Sequence, residues 1–203
     1  MVRLGISVEG TTEERFVKQV LAPYLERVNI YITPISMNGA VSLDSVKSEL
    51  TKMAFSFDYV TTLYDFYGFS RKKTGETKES LETRLYDVMH DGAKGKLIPY
   101  VQMYEFEGLL FSSPESMAHV LRDDGLVEWG NKVLDEFQHC PESINNSFET
   151  APSKRLEQHT CYRKTTHGPN IAMDIGIDKI RSMCPEFNKW IAQLERLALP
   201  SNH

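Results

Sequence analysis

The chain has 203 residues, of which 41% are hydrophobic and 25% charged, a composition typical of a soluble globular protein. Its formal net charge of -5 excludes a basic nucleic-acid coat protein. No run of 18 apolar residues predicts a transmembrane helix, and the N-terminus lacks the apolar region of a signal peptide. The cysteines Cys140, Cys161 and Cys184 form no CxxC pair, which favours a reducing compartment. We therefore expect a cytoplasmic protein.

The first 112 residues alternate strands and helices. The predicted strands are 4–8, 30–35, 59–64 and 97–103, and helices at 11–28 and 42–55 and a third bearing Leu81 and Leu85 separate them. Strands separated by helices pair in parallel through right-handed crossovers. The sequence therefore predicts an α/β core over 1–112, with an open, mostly parallel four-stranded sheet and helices on both faces.

The pattern beyond residue 112 is mainly helical. The predicted helices are 114–121, 126–137, 152–159 and one or two within 176–199, with a basic loop at 159–169. These segments predict a C-terminal extension, 113–203, packed on the core.

Two local signals lie in the first helix. Thr11 and Glu14 have the spacing of a capping box. Pro23 lies inside the predicted helix and is expected to bend it or end it early, because proline has no N–H to donate.

Acidic side chains follow three of the predicted strands. Glu9 follows the first strand, Asp65 the third, and Glu105 and Glu107 the fourth. The carboxyl ends of parallel strands meet at one edge of the sheet, where open α/β sheets bind ligands. Clustered carboxylates are costly unless cations neutralise them, and hard oxygen ligands suit one or two Mg²⁺ or Mn²⁺ ions. Only one of Glu105 and Glu107 is expected to face the site, because residues two apart share a face only if the strand continues through both of them.

Each of these acids also has a structural interpretation. Glu13, in the first turn of the helix, either extends the metal site or only complements the helix dipole. Asp65 is either a ligand or the start of a turn that ends at Gly68. The convergence of several acids is more specific than any one of them.

Basic residues near this edge predict phosphate binding, although each could equally be a solvated loop residue. They are Arg71, Lys72, Lys154, Arg155, Lys164 and His167. No G-x-S-x-G, Walker A or G-x-G-x-x-G motif occurs, and the His and Cys residues lack the paired spacing of structural zinc sites.

Two motifs resemble the Toprim domain of topoisomerases, bacterial primases and the overcoming-lysogenization-defect (OLD) family nucleases. They are Val-Glu-Gly-Thr-Thr-Glu at 8–13 and Tyr-Asp-Phe-Tyr-Gly at 64–68. Segments 98–111, 152–156 and 176–187 are similar to a bacterial Toprim-like family of unknown function, encoded beside ATPases in suspected phage-defence operons. This closer resemblance covers nearly the whole chain.

The resemblance implies a Toprim-like fold and a Mg²⁺-dependent site that handles phosphodiesters. Glu9 matches the Toprim glutamate, and Asp65 matches the first aspartate of its D-x-D motif. Glu13 matches the extra acid of the OLD-like branch, and Lys164 matches its late lysine. The resemblance thus implies catalytic roles for these four residues.

The second D-x-D position is Tyr67, a poor Mg²⁺ ligand. Either Glu105 or Glu107 supplies the missing carboxylate, or the site holds one metal, or it is inactive.

The leading functional hypothesis is a Mg²⁺/Mn²⁺-dependent nuclease acting on DNA or RNA in a bacterial defence or repair system. The expected partners are nucleic acid, an ATPase and a second copy of the chain, and no membrane is expected. One alternative is a non-catalytic Toprim-like module that docks on a partner ATPase. Another is a small-nucleotide phosphohydrolase that uses the same metals.

Overall fold

A five-stranded parallel sheet organises the fold. The computed structural model describes residues 1–39, 41–145 and 147–199, without the side chain of Phe148. The strands are β1 Val2–Val8, β2 Ile30–Ser36, β3 Tyr59–Asp65, β4 Leu97–Ile98 and β5 Val101–Gln102. Their order is β2-β1-β3-β4, and β5 also pairs with β3. The predicted α/β class with a mostly parallel sheet is confirmed.

The predicted strand 97–103 is divided into β4 and β5. Pro99 has no N–H for the strand ladder. Beside it, the N–H of Tyr100 donates to Thr62 Oγ1 (2.8 Å), and the same hydroxyl donates to the carbonyl of Tyr100 (2.7 Å). A side chain of β3 therefore replaces the backbone pairing between the two short strands.

Helices follow the strands and dominate the second half of the chain. In chain order they are α1 Thr11–Phe16, a π-helical turn Val17–Leu21, α2 Ala22–Glu26, α3 Leu43–Ser56, α4 Lys78–Asp87, α5 Asp91–Lys94, a 3-10 helix Phe106–Ser112, α6 Pro114–Leu121, α7 Gly125–Glu136, 3-10 turns Pro141–Ser143 and Phe148–Thr150, α8 Pro152–His159, α9 Lys164–Ile175, α10 Ile177–Met183 and α11 Pro185–Arg196. The predicted extension ends in residues 200–203, which lie outside the described residues.

The first helix continues past Pro23, contrary to an early end. The π-helical turn immediately before α2 accommodates the proline, whose nitrogen cannot donate a helical hydrogen bond. The predicted pairing of Thr11 with Glu14 is also wrong by one residue. Glu13 accepts a hydrogen bond from the N–H of Gly10 (3.1 Å), and Glu14 instead pairs with Lys18.

The segment 159–169 is not a loop throughout, because α9 begins at Lys164. Pro169 lies inside this helix and cannot donate to the carbonyl of Thr165, four residues earlier. The guanidinium of Arg15 donates to that carbonyl instead. The first helix therefore satisfies the group that the proline leaves free.

Apolar side chains pack on both faces of the sheet. On one face, Leu4, Ile6 and Val8 of β1 belong to a buried cluster that includes Trp190 and Leu194 of α11. On the other face, side chains of β3 pack against α3 and α4. The helices after residue 112 thus share a core with β1. Within the described ranges, no helix has the length and apolar character needed to cross a membrane.

Candidate functional site

Asp65 is held at the carboxyl end of β3. Its side chain is almost fully buried, and Oδ1 accepts a hydrogen bond from the N–H of Phe106 (2.7 Å). Its other oxygen, Oδ2, lies 3.3 Å from Lys164 Nζ. The end of β3 is thereby tied to the first residue of the 3-10 helix and to the start of α9.

Glu107 and Glu13 approach the same ammonium group from two other elements. Glu107, in the 3-10 helix, is fully buried and places Oε2 3.4 Å from Lys164 Nζ. Its Oε1 accepts a hydrogen bond from the hydroxyl of Tyr162 (3.0 Å). Glu13, in the first turn of α1, places Oε1 3.9 Å from Lys164 Nζ. We call Glu13, Asp65 and Glu107, together with Glu9, the carboxylate cluster.

Glu9 follows β1 and completes the carboxylate cluster from the other side. Its carboxylate lies against Gly68, in the loop after β3, and a Cβ at position 68 would collide with this carboxylate. Glu9 interacts electrostatically with Glu13, Glu107 and Lys164. Acids that lie far apart in the chain are thus brought to one edge of the sheet.

Lys164 is the cation among these acids. As the first residue of α9 it places Nζ within 4 Å of three carboxylates, while 38% of its side chain remains exposed. Burial lowers the pKa of this amine, but the attraction of Asp65 and Glu107 outweighs burial, and the net pKa is raised. Lys164 is therefore charged at neutral pH.

The carboxylate cluster is not fully compensated by that one ammonium. Three buried oxygens, Glu9 Oε2, Glu13 Oε1 and Glu107 Oε2, have no hydrogen-bond partner among the described residues. Burial raises the pKa of Asp65 well above its usual 3.8, and it also raises the pKa of Glu9 and of Glu107, despite the opposing effect of Lys164. Buried carboxylate oxygens that accept no hydrogen bond, in a site with more acids than cations, fit a divalent cation.

The carboxylates are not at the mutual distances that metal coordination requires. In the part of the chain that the structure describes, no group of three or more Asp, Glu, His or Cys side chains is arranged to hold a metal ion. The ammonium of Lys164 lies between Asp65 and Glu107 at 3.3 and 3.4 Å. Mg²⁺ takes its oxygen ligands at about 2.1 Å, so binding one would require these side chains to draw closer.

The structure separates two acids that the sequence left as alternatives. Glu105 Oε2 accepts a hydrogen bond from the N–H of Ser153 (2.9 Å), at the start of α8. Only Glu107 joins the carboxylate cluster. Tyr67, at the second D-x-D position, is directed elsewhere: its hydroxyl accepts from Asn145 Nδ2 (2.5 Å), and its ring centroid lies 5.5 Å from that of Tyr104.

The predicted phosphate-binding residues make mostly local contacts. Lys72 Nζ donates to the carbonyl of Phe69 (2.6 Å), and burial lowers the pKa of this amine. Lys154 pairs with Glu157 (2.8 Å). Arg71 is exposed on the loop after β3.

The side chains of Arg155 and His167 form hydrogen bonds with backbone groups next to helical segments. Arg155 Nε donates to the carbonyl of Thr150 (2.8 Å), and His167 Nδ1 accepts from the N–H of Arg163 (3.0 Å). Of the six predicted phosphate-binding residues, Lys164 pairs with the carboxylate cluster, and across the described ranges none of the other five forms an ion pair with it.

Comparison with known proteins identifies the family of the chain. The family model described as "Domain of unknown function (DUF4276)" matches residues 8–195. The chain belongs to this family. The matched span includes all of the carboxylate cluster and Lys164, so in this DUF4276 chain the site lies within the family's own segment.

Two solved structures are similar to this DUF4276 chain. Both are of the C-terminal region of the OLD protein of Xanthomonas campestris pv. campestris. The one phased with iodine is 18% identical, with a TM-score of 0.47, covering 95% of this chain and 97% of that chain. The one phased with mercury is 17% identical, with a TM-score of 0.42, covering 94% and 97%. No curated protein matches the chain.

Three residues of the site were missed from the sequence of this DUF4276 chain. Tyr162 reaches Glu107 across 55 residues, and no local pattern signals that contact. The sequence predicts Gly68 as a turn residue and as the end of the Toprim-like motif 64–68, but not as the neighbour of Glu9. Gly168, in α9, leaves room for Tyr162, because a Cβ at position 168 would lie 2.8 Å from the tyrosine hydroxyl. Glycines that admit a functional side chain are recognisable only once the fold is known.

Proposed function

We propose that this chain is a Mg²⁺/Mn²⁺-dependent nuclease of Toprim type that cleaves phosphodiester bonds of DNA or RNA. The observation that carries the proposal is the carboxylate cluster, whose buried oxygens Glu9 Oε2, Glu13 Oε1 and Glu107 Oε2 have no hydrogen-bond partner among the described residues. A hard divalent cation would satisfy these oxygens and offset the negative charge that a single ammonium leaves.

Each side chain has a proposed task at this site. The carboxylates of Glu9, Glu13, Asp65 and Glu107 would hold the metal, which when bound supplies Lewis acidity toward the phosphodiester and toward water. Lys164 would pair with a phosphate oxygen, because its side chain is 38% exposed while Nζ reaches the carboxylates. Glu107 takes the place that Tyr67 leaves open in the D-x-D motif.

Burial supports cation binding at this edge of the sheet. The raised pKa values of Asp65, Glu107 and Glu9 reflect the cost of ionising acids in a buried, acidic setting. A divalent cation favours the ionised carboxylates and removes that cost. The same charge balance would orient a polyanionic substrate toward Lys164 and the bound metal.

The test is cleavage of single-stranded and double-stranded DNA and RNA with Mg²⁺ or Mn²⁺. We expect the wild type to cleave and the variants Glu9→Gln and Asp65→Asn to lose cleavage. Glu105→Gln is the matched control, because the structure directs Glu105 to Ser153 and away from the carboxylate cluster. Equal cleavage by the wild type and by the two site variants would rule out this site.

A second candidate is a non-catalytic module that docks on a partner ATPase. The favouring observation is that the Lys164 ammonium already pairs with both Asp65 and Glu107, at 3.3 and 3.4 Å, as a permanent counter-charge would. Purification with a candidate partner ATPase, followed by a nuclease assay on the complex, separates the two candidates. A complex that never cleaves while its ATPase works would favour docking, whereas cleavage only in the complex would indicate a regulated nuclease.

A further inference from the structure

One buried tyrosine contacts the carboxylate cluster from outside it. Tyr162 is 6% exposed, and its hydroxyl donates to Glu107 Oε1 at 3.0 Å. The other oxygen of the same carboxylate, Oε2, lies 3.4 Å from Lys164 Nζ. The two oxygens of Glu107 thus have separate partners, the tyrosine on one side and the cation on the other.

The backbone fixes Tyr162 in this position. The N–H of Tyr162 donates to Thr160 Oγ1 (2.9 Å), whose hydroxyl in turn donates to the carbonyl of Leu156 in the last turn of α8 (2.7 Å). Lys164 begins α9 two residues later. One short segment between two helices therefore delivers both the tyrosine hydroxyl and the ammonium to Glu107.

Space for the hydroxyl depends on Gly168. A Cβ at this position would lie 2.8 Å from Tyr162 Oη, closer than real Cβ contacts, but 3.4 Å from the nearest atoms of Phe106 and Thr12. The hydroxyl is therefore the group that an alanine at position 168 would displace. The position of the Tyr162 hydroxyl therefore requires a glycine at position 168.

We propose that Tyr162 is a positioning residue that holds Glu107 with Oε2 directed at the cation of the site. That cation is the ammonium of Lys164 in this structure, and the extension to a bound divalent metal rests on the proposed function. Hydrogen-bonding partners of metal ligands commonly set metal affinity by 10- to 100-fold, which is about the effect expected here.

The experiment compares Tyr162→Phe with a matched control, Tyr64→Phe. Tyr64 is buried as well, and its hydroxyl donates one hydrogen bond, to Ser7 Oγ at 2.7 Å, which the phenylalanine variant loses. Its ring, however, belongs to the apolar cluster on the opposite face of the sheet. The first readout is metal-independent. We expect the nitrogen chemical shift of the Lys164 ammonium, assigned by its loss in Lys164→Met, to move in Tyr162→Phe and to stay in place in Tyr64→Phe.

The second readout is Mn²⁺ affinity by calorimetry. We expect Tyr162→Phe to weaken binding at least about tenfold and Tyr64→Phe to change it less than about twofold. Gly168→Ala should weaken binding in the wild type and have a smaller effect in Tyr162→Phe, where the displaced hydroxyl is absent.

The outcomes separate this inference from the proposed function. An unmoved Lys164 signal in Tyr162→Phe overturns the positioning role whether or not metal binds. Wild-type Mn²⁺ binding that Tyr162→Phe leaves intact overturns the inference alone. A wild type that binds no Mn²⁺, with a Lys164 signal that still responds to Tyr162→Phe, overturns the proposed function and leaves Tyr162 positioning Glu107 for the ammonium.

Discussion

Glu9 occupies the space that a side chain at position 68 would need: a Cβ on Gly68 would lie 2.1 Å from Glu9 Oε2. The loop after β3 therefore closes on the residue that follows β1. Any side chain at position 68 would have to push the carboxylate away, because real Cβ atoms do not approach so closely. The positions of Glu9, after the first strand, and of Gly68, after the third, therefore depend on each other.

Gly68→Ala should disable the site through Glu9. We expect displacement of the carboxylate to weaken Mn²⁺ binding about tenfold or more, as disturbance of a metal-ligand shell typically does. Calorimetric titration measures this effect. Gly95→Ala is the control, because a Cβ there meets nothing within 4 Å and the backbone is already helical. Equal Mn²⁺ affinity in the two alanine variants would contradict the role of the Glu9–Gly68 contact.

Glu107→Gln and Glu105→Gln should behave differently although the residues are two positions apart. Glu107 is fully buried in the carboxylate cluster, so its amide variant should lose Mn²⁺ binding and cleavage. Glu105 accepts from Ser153 N–H, so its variant should keep Mn²⁺ binding and lose about 1 kcal/mol of stability. Thermal unfolding and metal titration of both variants measure the contrast. Loss of metal binding in Glu105→Gln alone would reverse the assignment.

Stability of the metal-free protein should depend on pH through the carboxylate cluster. Folding raises the pKa of Asp65 above 3.8 and the pKa values of Glu107 and Glu9 above 4.5. The folded state therefore binds more protons than the unfolded state, and this stabilisation, complete below those ordinary values, is lost as pH rises through the folded-state values. Folding lowers the pKa of other acids, such as Glu76, and these acids change the stability at lower pH.

In EDTA we accordingly expect the Tm to fall as the pH rises from the ordinary glutamate pKa of 4.5 towards neutral, and we expect Mn²⁺ to raise the Tm more at the neutral end. Differential scanning calorimetry measures both effects. The double variant Asp65→Asn, Glu107→Gln should remove most of the slope. A Tm that rises across this interval in the metal-free wild type would contradict the charge balance described for the site.

Arg15 and Pro169 should be energetically coupled. Arg15 donates to the carbonyl of Thr165, which Pro169 cannot reach as a donor. We expect Arg15→Met to cost about 1 kcal/mol of unfolding free energy. The same change should cost less in Pro169→Ala, because alanine supplies the missing N–H. Chemical denaturation of the four variants forms the cycle, and equal costs in both backgrounds would show that the contact is not coupled to the proline.

The convergence of Glu9 and Asp65 follows from the sequence, because parallel strands separated by helices end at one edge of a sheet. The choice between Glu105 and Glu107 does not. The strand ends at Gln102, and the chain passes through Tyr104 with a φ of 61° before entering a 3-10 helix. The strand geometry that would place both glutamates on one face is therefore lost before either of them.

Lys164 shows a different limit of sequence reasoning. Its match to a late lysine rested on resemblance, while the surrounding segment was expected to be a loop that ran to Pro169. The helix that places Lys164 contains that proline, and Arg15, 150 residues before Thr165 in the chain, donates to the Thr165 carbonyl that the proline leaves free. Long-range contacts of this kind, like that of Tyr162 with Glu107, leave no periodic pattern in the sequence.

The most direct test of the central claim is anomalous diffraction from a crystal soaked in Mn²⁺. We predict anomalous density among Glu9, Glu13, Asp65 and Glu107, with none beside Glu105. Absence of density at the carboxylate cluster at saturating Mn²⁺, with the Lys164 ammonium still 3.3 Å from Asp65, would contradict a metal-dependent nuclease site in this chain.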